Sequence, residues 1–216
     1  MKKVVKILLG VAVALVLAIG ALITVTIYYM TQGPDLSNYQ HLKVPQISTL
    51  PDQKMIVVEA RGDPNVIAGR ALATLFQVYF KTQGTIKGPG MPAPRARWPL
   101  RGEVPQTEWL GLYATPVPES TTELPDYEAP PELKVSLTTW EYGEVAEILP
   151  RGPYGRGQPT VARLMEFIKA QGYEVAGAHE EEYLKGPTMF SKGDPGKYVT
   201  ILRYRVRKTT GPDVSP

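Results

Sequence analysis

The sequence predicts an α+β fold: a duplicated strand-helix-strand-strand unit forming an antiparallel sheet with helices on one side, set behind an N-terminal transmembrane helix. Three observations predict it. An uncharged run extends from Ile7 to Met30. A strand-turn-helix phrase occurs twice. Each occurrence is followed by two further segments of β character.

Residues 1–30 form the predicted anchor. At about 1.5 Å per residue the uncharged run is long enough to cross a hydrocarbon core of about 30 Å. Lys2, Lys3 and Lys6 precede it and place the N-terminus in the cytoplasm, so that the domain lies on the periplasmic or other extracytoplasmic side. Tyr28 and Tyr29 fall where an interfacial aromatic belt belongs. A cleaved signal peptide is the rival. The length of the apolar core, and Thr-Ile-Tyr-Tyr-Met in place of a small-x-small site, favour an uncleaved anchor. Residues 31–53 are polar and proline-punctuated and read as a juxtamembrane linker; 54–208 read as the folded domain and 209–216 as a disordered tail.

Within the domain, Lys54 to Gly62 reads as a strand closing on Arg61-Gly62. Asp63 and Pro64 then start a helix, with Val66, Ala73, Phe76, Val78 and Phe80 as its apolar surface and Gly84 at its end. Tyr142 to Gly152 repeats the strand and closes on Arg151-Gly152. The helix that follows carries Val161, Leu164, Met165 and Ile168 at helical spacing. Lys81-Thr82-Gln83-Gly84 and Lys169-Ala170-Gln171-Gly172 end the two helices, and agreement at both ends of the phrase points to an internal duplication. Strands are predicted over Thr107–Val117 and Leu133–Gly143 after the first helix, and over Tyr173–Leu184 and Lys197–Lys208 after the second. Two Pro-rich connections, 84–106 (basic) and 116–132 (acidic), read as solvated loops or, more sharply, as a lid in which Arg95, Arg97 and Arg101 pair with Glu119, Glu123 and Asp126.

Composition excludes much. The three N-terminal lysines account for the whole excess of 24 basic over 21 acidic residues, so the chain beyond them is neutral and no nucleic-acid partner is expected. With no cysteine and only His41 and His179, no metal-ligand spacing exists. No phosphate-binding glycine loop or nucleophile elbow is present. No cofactor is expected.

The stretch from Gly152 to Pro187 resembles the second half of the GyrI-like small-molecule-binding domain, the effector-binding domain of AraC-type and MerR-type multidrug regulators. The matching residues are Gly152-Pro153-Tyr154, Gly172-Tyr173, Ala176-Gly177, Glu181-x-Tyr183 and Pro187. The first half matches more loosely, through Leu112-Tyr113 and a following proline. The resemblance implies two halves facing each other across a cleft for hydrophobic molecules, often cationic or aromatic. Some members hydrolyse cyclopropanoid toxins with a Glu and aromatic residues, and haem-binding SOUL proteins share the fold. An anchor in place of a DNA-binding domain, and the longer Pro-rich connections, depart from the family.

Strand alternation puts Glu181 and Tyr183 on one face with His179, and Glu180 and Glu182 on the other. The family match makes Glu181 the pocket carboxylate and Tyr183 its neighbour; Glu180 and Glu182 read as solvated. Tyr113, aligned internally with Tyr183, Trp109 on its strand face and Trp140 on the next strand are the aromatic candidates, with core packing as their alternative. His179 reads as a partly exposed strand residue, Tyr154 as a turn residue, and Arg203, Arg205 and Arg207 as a solvated outer face. The expected function is membrane-tethered binding of a hydrophobic small molecule between the two repeats. The alternatives are a hydrolase of strained or electrophilic hydrophobic compounds, using Glu181 and Tyr183, and an envelope interaction protein with a vestigial cleft.

Overall fold

The computed structural model describes residues 2–32, 35–88, 90–154, 157–187 and 193–209. The predicted tail therefore lies, beyond Thr209, outside the described residues. Helix α1 (Lys2–Gln32) is continuous, and Leu9–Thr26 within it is long and apolar enough to cross a membrane; a secretory signal satisfies the same test. Thr24 and Thr26 donate their hydroxyls to Gly20 O and Leu22 O, each at 2.8 Å. Neither hydroxyl then needs a partner from an apolar medium.

Eight strands follow: β1 (Gln46–Leu50), β2 (Gln53–Arg61), β3 (Arg95–Trp98), β4 (Leu110–Pro116), β5 (Lys134–Trp140), β6 (Gly143–Ile148), β7 (Tyr173–Lys185) and β8 (Val199–Lys208). They form one antiparallel sheet in the order β1-β6-β8-β7-β3-β4-β2-β5, with α2 (Pro64–Lys81) and α3 (Gln158–Ala170) on one face. Read outward from the central β3–β7 pair, the sheet runs β4-β2-β5 to one side and β8-β6-β1 to the other. The repeating unit is thus β2-α2-β3-β4 and β6-α3-β7-β8. β3 lies inside the connection expected to be a loop and takes the place given to β5. Four residues flanked by proline carry almost no periodicity, and β3 is defined by pairing with a strand on each side, at Arg97↔Leu112 and Arg97↔Glu180.

The duplication is visible in backbone geometry. Gly62 and Gly152 turn at φ of 136° and 126°, a region where a Cβ is costly, so both Arg-Gly steps need glycine. The offset between them aligns Val58 with Ile148. Val58 pairs with Tyr113 and Ile148 with Leu202. Tyr113 therefore corresponds to Leu202, not to Tyr183 as the internal alignment had it.

Two expectations about elements are corrected. The segment expected as a linker carries a 3-10 helix over Leu36–Lys43 and strand β1, which pairs with β6. Leu42 is buried there against Leu149, Leu184, Val199 and Ile201. On α2, capped by Asp63 through its Oδ1 accepting Asn65 N–H at 2.9 Å, the buried stripe is Ile67, Ala71, Thr74, Leu75, Val78 and Tyr79. Val66 and Phe80 are 71% and 43% exposed, and Ala73 also faces solvent. The helix offers two apolar stripes, and the one holding Leu75 and Tyr79 buries more apolar surface against β2 and β4.

Candidate functional site

The central pair of strands decides which side chains meet. Ile148, Leu202, Glu181, Ala96, Tyr113 and Val58 are cross-strand partners in succession, so they share the face that carries both helices. Glu181 sits in the saddle between α2 and α3. Ala96 opposite it leaves room above the sheet.

The Glu181 carboxylate is saturated by its own chain. Oε1 accepts from Arg101 Nη1 and from His179 Nε2, each at 2.9 Å, and Oε2 accepts from the Tyr183 hydroxyl at 2.8 Å. Burial pushes the Glu181 carboxyl up, but the hydrogen bonds from His179 and Tyr183, with the Arg101 charge, outweigh it and hold its pKa below the ordinary value. Burial lowers the pKa of His179, whose ring is therefore neutral, with the proton on Nε2 and a buried, unpartnered Nδ1. Tyr183 is raised well above its ordinary value, first by burial and then by Glu181, and acts here as a donor. His179 is buried, contrary to the exposed position expected of it.

Aromatic rings flank this cluster. Tyr154 meets Tyr183 edge-on at 5.3 Å and Tyr198 at 5.0 Å, so it belongs to the cluster as well as to its turn. Trp98 packs on Trp109 at 5.7 Å and on Tyr113 at 5.6 Å, while the Arg101 guanidinium lies over the Trp109 ring at 5.5 Å. These rings fill the first-half side of the saddle. On the second-half side a shallow cleft remains open to solvent, lined by Arg101, Glu181, Tyr154, Thr200, Leu202 and the start of α3.

Glu181, Tyr183, Tyr113 and Trp109 are thus brought together. Trp140 is not: it is buried on the opposite face, where the Arg97 guanidinium stacks over it at 3.9 Å. Glu180 and Glu182 also lie on that face. They are 2% and 7% exposed, not solvated. Arg203 bridges Glu147 and Glu180 at 2.6 Å and Glu182 at 3.1 Å; Arg97 meets Glu180 at 2.7 Å and Arg95 meets Glu182 at 3.2 Å. Tyr142 accepts from Arg95 at 2.6 Å and donates to Glu180 at 2.9 Å, and burial followed by the Glu180 charge pushes its pKa up to about 12. Three arginines and three glutamates pair with one another in one layer, the arrangement in which buried charge is tolerated, and a shallow hollow lined by Arg97, Tyr142, Glu180, Arg203 and Arg205 opens onto it. Arg203 is therefore buried, and only Arg205 and Arg207 of its row are exposed. The three loop arginines pair with Glu182, Glu180 and Glu181 rather than with the acidic loop. That loop is held by lysines: Lys54 bonds to Glu119 O and Thr121 O, and Lys81 to Asp126 O.

Of the residues that sequence reasoning missed, His179 had a signal, since residues 179, 181 and 183 share one strand face. Arg101 had none, because its partner lies 80 positions away.

No protein-family model and no curated protein matches the sequence. Solved structures do match in fold. A hydrolase from Listeria innocua shares 19% identity over 81% of this chain and all of its own, with a TM-score of 0.60. An uncharacterized conserved protein from the same organism shares 22% over the same extents, with a TM-score of 0.62. The EcmrR C-terminal domain shares 12% over 76% of this chain and 98% of its own, with a TM-score of 0.52. The shared architecture is consistent with the GyrI-like fold that the sequence resembles.

Proposed function

We propose that this chain is a membrane-tethered binding domain that holds a hydrophobic small molecule in the cleft beside Glu181, walled by the second repeat and by Arg101 of the first. The observation that carries the reading is the open cleft on the helix-bearing face. Its walls are aromatic and aliphatic, and its floor is an ionised carboxylate held by Tyr183, His179 and Arg101. A mostly apolar concavity with a few convergent polar groups is the usual form of a small-molecule site. The shared fold with the EcmrR C-terminal domain supports the reading. The length and composition of α1 support the tether, with the domain outside the cytoplasm.

A second reading is a hydrolase. It is favoured by the Glu181–His179 hydrogen bond and by the fold shared with a protein described as a hydrolase. An ionised Glu181 suits the role of base or nucleophile better than that of acid. The test is thermal unfolding of the full chain in detergent with the neutral ligand 1-naphthaleneethanol. Binding predicts a saturable rise in Tm that Tyr154→Ala abolishes. No rise at any concentration overturns the binding reading; turnover of an ester or cyclopropyl probe, lost in Glu181→Gln, favours the hydrolase.

A further inference from the structure

Glu181 and the Trp109 face together form the kind of cage that would hold a ligand cation, a carboxylate beside an aromatic ring. In this chain the cage is filled from within. The Arg101 guanidinium donates to Glu181 at 2.9 Å and lies 5.5 Å from the centroid of Trp109. Arg101 cancels the Glu181 charge, so the carboxylate no longer sets the sign of the cleft.

What remains in the lining points the other way. Arg151 lines the cleft and pairs with no acid among the described residues. Gly157 and Thr160, at the start of α3, line it too, and no side chain caps that helix among the described residues, whereas Asp63 caps α2. The N-terminal end of a helix of this length attracts negative charge. Independently of both, Thr200 is 5% exposed and its Oγ1 has no partner. Thr200 is the cross-strand partner of Tyr183, so its side chain stands on the same face as Glu181 and in the wall of the cleft. A buried hydroxyl without a partner is a cost that a bound acceptor removes. Pro150, Pro153, Val161 and Leu202 supply the apolar surface beside these groups.

We propose that the cleft selects a hydrophobic anion: an apolar body against Tyr154, Val161 and Leu202, with a carboxylate or similar anionic head received by Arg151, the Thr200 hydroxyl and the start of α3. This rests on the reading of the cleft as a ligand site, and it replaces the cationic preference that the family resemblance implies. Arg101 is then a built-in countercharge that keeps Glu181 from repelling the head.

Three ligands with one aromatic body separate the outcomes: 1-naphthylacetate (anion), 1-naphthaleneethanol (neutral) and 2-(1-naphthyl)ethylammonium (cation). Each is titrated against the full chain in detergent, with affinity read from thermal stabilisation. The expected result is that the anion binds about tenfold more tightly than the neutral compound, and the cation more weakly than either. Arg151→Gln and Thr200→Val each reduce the anion's affinity relative to that of the neutral compound. Arg101→Gln, by uncovering Glu181, reverses the order in favour of the cation. If the neutral compound binds and the anion does not exceed it, the charge inference is overturned and the cleft survives as a site. If the anion's advantage is untouched in both Arg151→Gln and Thr200→Val, the head-group site is overturned. If none of the three binds, the ligand-site reading falls and takes this inference with it.

Discussion

Three consecutive glutamates show how little sequence adjacency says about environment. Alternation along β7 sends Glu181 to the helix-bearing face and its neighbours to the other, and that much is legible from a period of two. What was not legible is that both faces are buried. Glu180 and Glu182 are paired with arginines from β3 and β8, and those pairings are set by register between segments about 80 and 20 residues away. Removing the shared cation leaves three buried carboxylates, so Arg203→Met should destabilise the domain by about 3–5 kcal/mol in denaturant unfolding. A loss under 1 kcal/mol would show that water already reaches the layer. His179 gives a second prediction. Its folded-state pKa lies below the ordinary value of 6.5 because burial disfavours the cation. The unfolded chain then binds more protons below that pH, so stability is complete above pH 6.5 and declines as the pH falls. Glu180 and Glu181, depressed below 4.5, add a further loss only below that value. Tm measured against pH should begin to fall below pH 6.5, and His179→Gln should flatten that limb alone.

At the scale of elements, the strands and helices with strong periodicity are where the sequence places them: β2, β6, β7, β8 and both domain helices. β1 and β3 were missed for a common reason. Each is short and proline-flanked, and each exists because a neighbouring strand offers an unpaired edge. The phase of α2 was misread because a helix with two apolar stripes does not announce which one the sheet will cover. The corrected phase is testable. Leu75→Ala, fully buried, should cost about 2–5 kcal/mol, whereas Phe80→Ser should stay within about 0.5 kcal/mol. Similar costs for the two would restore the original stripe. Likewise Leu42→Ala should cost about 2–5 kcal/mol, a loss that no flexible linker residue would produce.

At the scale of the whole molecule, a two-fold arrangement of repeats puts its shared strand pair, β3 and β7, at the centre, and the residues on that pair see both halves. The duplication was visible in the Arg-Gly and Lys-x-Gln-Gly echoes, and with it the general place of the site. The asymmetry was not visible. The first half fills its side of the saddle with Trp98, Trp109 and Tyr113, and the second half leaves its side open. The central claim is that this opening holds a hydrophobic small molecule. Its most direct test is mass spectrometry of what denaturation releases from the purified full chain, compared with the cleft-filling variant Val161→Trp. The expected result is a compound released in proportion to the native protein and absent from the variant; no released compound, or the same compound released equally from both, would contradict the claim.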